Sequence, residues 1–210
     1  MTSGMAEAIG SAERLALAYA PATARDRYRA LLELDATLRR IALSAREPLP
    51  AQFKLAWWRD ACAGLNEAQG HPVLDALRER WPRDPAALVA LVDGWEELVA
   101  ADDFVGAAET VATARGAALA ACAGASEGDA RSAARAWTLA ALSPHAPGDS
   151  ARELMRATVR QLPAQPLPRA LRPLAVLAGL ARRAIDADRV ELIGDRWSPL
   201  VAIRLGIFGR

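Results

Sequence analysis

The stretch Glu33–Cys62, ELDATLRRIALSAREPLPAQFKLAWWRDAC, decides the fold. Together with Leu31 just before it, Leu34, Leu38, Ile41, Ala42 and Ala45 recur at three- and four-residue steps and draw one apolar stripe along a helix. Asp35 and Arg39 are four apart, so they share the flank of that stripe. This flank is expected to face a cavity if the bundle encloses one. "EPLP" at 47–50 interrupts the pattern. The helix expected after it carries Phe53, Leu55, Trp57, Trp58, Cys62 and Leu65, an apolar arc too wide for a surface helix. Burial on several sides is expected there.

Outward from this stretch the helical pattern continues almost without break. Ala, Leu, Arg and Glu are strong helix formers, and β-branched residues are sparse. Prolines and glycines punctuate the chain at helix-length intervals. Helices are predicted over 6–19, 23–46, 51–68, 72–80, 85–101, 104–123, 129–142, 149–161, 167–186 and 199–207. The prediction is an all-α fold, one helical bundle, with residues 1–210 as a single domain.

Apolar residues are 52% of the chain and the formal charge is +1, so a sizeable core is available and no global field draws in nucleic acid. Lys54 is the only lysine, and the remaining cations are arginines. Cys62 and Cys122 stand far apart and read as small core residues rather than a disulfide or metal knuckle. The first twenty residues lack the basic start and apolar run of a signal peptide. The longest apolar run, PLAVLAGLA at 173–181, is closed by Arg182 and Arg183, short of the ~18 residues of a membrane span. A cytoplasmic protein without a transmembrane segment is expected.

No nucleophile–base pair or nucleotide loop is apparent. His71 and His145 both adjoin prolines and read as turn residues. GAALAACAG at 116–124 is a small-residue helix that lets neighbours approach closely, and no phosphate loop. Asp93 and Glu97 are the acids with the four-residue spacing that suits a magnesium ion held against a diphosphate. Asp102/Asp103, Glu127/Asp129, Asp149/Glu153 and Asp186/Asp188/Glu191 are further acids, at breaks or helix ends. Trp57 and Trp58, with Trp81, Trp95, Trp137 and Trp197, either line an apolar pocket or fill a core whose other side chains are small.

From RYRALLELDATLRRIALSAREPLPAQFKLAWWRDAC (27–62) through GHPVLDAL (70–77) and LVDGWEELVA (91–100), the order of features resembles the squalene/phytoene synthase family. The tail VRQLPAQPLPRALRPLAVLAGLARR (159–183) is similar to that family's later helices. The resemblance implies a terpenoid-synthase bundle, here shortened. In the family such a bundle joins two prenyl diphosphates head to head, using magnesium held by two aspartate-rich motifs. Laid on this chain, the acids of the first motif become Arg39, Arg40 and Leu43. Guanidinium groups there would repel a divalent ion. The second motif finds no acids at its spacing in SPHAPGDSARELMRATVRQLP (143–163).

A degenerate member is therefore expected, without catalytic residues, metal or cofactor. It resembles the respiratory complex I assembly factor branch, which keeps similar AWWRD and HPV stretches. The resemblance implies an assembly or interaction protein that works through a protein partner or a membrane-associated complex, cytoplasmic or peripheral at the membrane. Two alternatives stand beside it. One is a prenyltransferase with Mg²⁺ on atypical ligands, Asp93 and Glu97. The other is a prenyl-diphosphate or lipid-binding protein without turnover, in which Arg39 and Arg40 grip phosphate oxygens and Trp58 meets the apolar chain. The C-terminal SPLVAIRLGIFGR (198–210) either docks on a partner or interface, or packs back on the bundle.

Overall fold

The computed structural model describes residues 9–67, 70–82, 84–194 and 198–209. All regular structure among them is helical. The helices are α1 (Ser11–Leu17), α2 (Arg25–Leu43), α3 (Pro48–Ala63), α4 (Pro72–Arg80), α5 (Ala86–Ala100), α6 (Phe104–Ala123), α7 (Glu127–Leu142), α8 (Gly148–Gln161), α9 (Arg172–Asp186) and α10 (Ser198–Phe208), with short 3-10 turns at Ser143–His145 and Arg169–Leu171. The start predicted for the first helix and the end predicted for the third fall partly outside the described residues, as does Trp197.

Local chemistry sets the boundaries. Asp103 caps α6 by accepting the Gly106 amide at 3.0 Å, and Ser126 caps α7 by accepting that of Gly128 at 3.1 Å. Gly124 closes α6 in the left-handed region at φ 63°, where a side chain would be strained. Two predicted starts move. EPLP was expected to separate helices, yet Pro48 and Pro50 stand inside the first turn of α3, where a missing amide hydrogen costs nothing. The helix predicted from 167 begins only at Arg172, because Pro168 leads into the 3-10 turn and Pro173 occupies the first helical turn.

Contacts order the helices as a sequence of neighbours, α3, α5, α6, α7, α9 and α10, with α2 laid across α3, α4, α5 and α6 and α1 reaching from α2 to α9. One contiguous core runs from Ile9 to Leu205. Leu31, Leu34 and Leu38 are buried as the stripe predicts, and Tyr28 in the same helix donates from its hydroxyl to the Ala170 carbonyl at 2.6 Å. The stripe weakens at Ile41 and Ala42, and Ala45 lies beyond the helix end. α10 packs on α9 with Ala202 and Leu205, while Leu200, Ile203, Ile207 and Phe208 remain exposed.

α6 is the centre of the bundle because it is thin. Its buried side is mostly small, with Ala107, Ala108, Ala112, Ala114, Gly116, Ala118 and Ala120 beside Val111, Arg115, Leu119 and Cys122, and it packs against α5 and α7 at once. At Gly94 of α5 an added Cβ would lie 3.3 Å from the Val111 Cα of α6 and 3.5 Å from Ala114 Cβ. At Gly116 the nearest atom would be Ala134 Cβ of α7, at 3.5 Å. The backbone of α6 therefore sits too close to α5 for a branched side chain at Gly94. Gly94→Val is expected to destabilise the fold by about 1–3 kcal/mol through overpacking, read as a lowered urea midpoint with unchanged slope.

Candidate functional site

α2, α5, α6 and α7 converge on one buried polar cluster. Asp35 and Arg115 are 4% and 2% exposed, which removes both charges from water. The Arg115 Nε donates to both carboxylate oxygens of Asp35, at 3.0 and 3.1 Å, and Nη2 donates to Oδ2 at 2.8 Å. Trp95 of α5 donates from Nε1 to Asp35 Oδ1 at 2.9 Å. The remaining side of the guanidinium is held by Thr138 of α7, whose hydroxyl accepts from Nη1 at 3.2 Å. The guanidinium carbon also lies 4.9 Å from the ring centroid of Trp95 and 4.4 Å from that of Trp137.

This arrangement fills the space between α2, α5, α6 and α7. Both Asp35 oxygens are engaged, and the cation lies over two indole rings. The space left beside the pair, among Leu31, Leu32, Leu91 and Leu119, amounts to about 10 Å³, on the scale of a single water. A ligand pocket spans roughly 300–1,000 Å³, and a cavity of that size, about 810 Å³, lies apart from the pair where α7, α9 and α10 meet. The flank of α2 carrying Asp35 thus faces a packed ion pair where a cavity was conceivable. Trp95 and Trp137 are core residues that also clamp a cation.

The residues singled out in the sequence are dispersed. Arg39 is half-buried and donates from Nη1 to Glu13 Oε1 of α1 at 3.0 Å. Arg40 is exposed and lines a separate surface cleft. Trp58 is in the core, edge-on to Trp57 with centroids 5.1 Å apart and to His71 at 4.8 Å. Asp93 accepts from Arg59 Nε at 2.6 Å, while Glu97 accepts from the Thr110 hydroxyl at 3.2 Å. Arg59 also pairs with Glu96, tying α3 to α5. Among the described residues no three or more His, Cys, Asp or Glu side chains gather as a metal site.

The other acids mostly serve as caps or ion-pair partners. Asp149 and Glu153 bind Arg152 and Arg160 within α8. Asp188, in the left-handed region at φ 53°, receives Arg156. Burial pushes the Cys62 and Cys122 thiols up to about 12, the latter against an opposing pull from Arg27, so neither is a ready nucleophile at neutral pH.

Comparison with family models, with curated proteins and with solved structures finds no match to this chain. The central residue that sequence reasoning overlooked is Arg115. Its signal was present: it is the one charge between Glu109 and Glu127, in a run of Ala, Gly and Thr. A charge on a helix that must pack on two sides needs a buried partner, and Asp35 is the acid on the facing stripe.

Arg115→Met strands the Asp35 carboxylate and is expected to cost about 3–5 kcal/mol, measured by urea denaturation. The double variant Arg115→Met/Asp35→Leu, which removes both charges, is expected to recover most of that loss. A chromogenic disulfide probe for thiols at neutral pH is expected to leave Cys62 and Cys122 unmodified in the folded chain and to titrate both in guanidinium chloride.

Proposed function

We propose that this chain is a non-catalytic helical scaffold that acts by binding a partner, as an assembly factor of the type it resembles in the complex I assembly branch of the squalene/phytoene synthase family. The observation that carries this reading is the filled centre between α2, α5, α6 and α7. Where a prenyl-transferring bundle would need room for two lipid chains and caged metal, Asp35, Arg115, Trp95 and Trp137 occupy one another. A diphosphate could not enter without breaking a buried ion pair, and a carboxylate already bonded to a guanidinium is a poor magnesium ligand. Arg39, a turn further along α2, is already matched by Glu13 and has no spare charge to offer a phosphate.

The four-residue acid pair of α5 supports the same reading. Asp93 is drawn to Arg59, so an ion at this pair would have to displace a guanidinium. What remains of the resemblance is then a framework, and a framework whose centre is filled acts through its surface.

Two measurements test this. Purified protein incubated with farnesyl diphosphate and Mg²⁺ is expected to form no condensed product; product formation that Asp93→Ala abolishes would overturn the proposal. Deletion of the gene is expected to lower assembled complex I and its NADH–quinone activity. Unchanged complex I would remove the specific assignment.

A further inference from the structure

α3 departs most from its sequence reading. An apolar arc that wide was expected to be buried on several sides. In the fold α3 packs chiefly on α5 and buries Ala51, Leu55, Trp58 and Cys62. Leu49, Phe53 and Trp57 point the other way and are 61%, 69% and 52% exposed. Their four-residue spacing puts them in one row along the outer face. Trp57 is held against the buried Trp58, ring to edge, so its indole stands as a fixed feature of that row.

The charges beside this row differ from those facing the bundle. Arg59, on the inward flank, is matched by Asp93 and Glu96, and Arg39 by Glu13. Arg40, Arg46 and Lys54 share a cleft of about 520 Å³ between the end of α2 and the start of α3, with Glu47 as the one acid lining it. None of these three cations forms an ion pair among the described residues. A row of large apolar side chains, with the exposed Asp60 three residues beyond Trp57, thus runs beside three cations that form no ion pair among the described residues.

We infer that the outer face of α3, with Arg40, Arg46 and Lys54, is a docking surface for an anionic lipid bilayer. The row is a convex ridge, and a bilayer receives a ridge without a matching groove. Aliphatic and aromatic side chains enter the headgroup boundary, and basic side chains reach the phosphates. A second copy of the chain fits less well, because a twofold contact here would bring unmatched cations of both copies close together. The exposed apolar area also falls short. Three half-exposed side chains offer on the order of 400 Å², about half of what each partner gives a standard protein interface. The surface lies outside the filled centre on which the proposed function rests, and its failure would leave that proposal standing.

Vesicle flotation with the full chain tests this. The protein is expected to float with vesicles of equimolar phosphatidylglycerol and phosphatidylcholine, to stay behind with phosphatidylcholine alone, and to be released by salt. Phe53→Ser/Trp57→Ser is expected to abolish flotation. Arg46→Ala and Lys54→Ala are each expected to weaken it roughly fivefold. Ile207→Ser/Phe208→Ser on α10 is expected to leave it unchanged. Circular dichroism melting of each variant establishes that it is folded. No flotation, equal flotation with both vesicles, a folded Phe53→Ser/Trp57→Ser variant that floats like the parent, or loss in the α10 variant instead would overturn the inference. So would gel filtration showing a dimer that Phe53→Ser dissolves, which would make the ridge a contact between copies.

Discussion

The bundle is organised around one buried ion pair. Asp35 and Arg115 are both buried, and such a pair roughly breaks even in free energy against a well-packed apolar substitute. Its effect is positional. Asp35 belongs to α2, Arg115 to α6, Trp95 to α5 and Thr138 to α7, so one hydrogen-bonded cluster links four helices. A slip of one residue in any of them would turn its member of the cluster away. This matters most for α6, whose buried side is mostly alanine and glycine. Small side chains allow close approach but interlock weakly, and the cluster supplies the registration they lack.

Much of this architecture was legible in the sequence, for identifiable reasons. The Leu31–Leu34–Leu38 stripe and the proline and glycine breaks carry strong local signals, and each predicted helix has a counterpart among the ten described. Boundaries failed where proline was read as a stop. Pro48 is a start, since the first helical turn tolerates it, and the identity of the residue alone does not distinguish the two. Long-range pairing was harder still. Asp35 and Arg115 are eighty residues apart, and no sequence spacing pairs them. The decisive clue was its setting in a small-residue helix.

The surface carried the opposite error. An apolar pattern states which residues avoid water, and it leaves open which neighbour covers them. On α3 the inner residues found α5, while Leu49, Phe53 and Trp57 of the outer row stay more than half exposed among the described residues. The candidate phosphate-gripping pair was likewise divided by its surroundings. Arg39 turns toward α1 and is neutralised by Glu13, while its neighbour Arg40 remains on the outside with Arg46 and Lys54. Adjacent arginines on a helix point about 100° apart, so one face held the inner pair and the other the outer cluster.

The prolines that open α3 have a further effect on selectivity. A helix start normally offers a cradle of amide hydrogens that fits a phosphate stereospecifically. With Pro48 and Pro50 in that turn, two of those hydrogens are absent. Phosphate binding at this end of the molecule would then rest on the side chains of Arg40, Arg46 and Lys54 in place of backbone amides. The chain should therefore discriminate poorly among acidic headgroups of equal charge while responding steeply to how many of them are present.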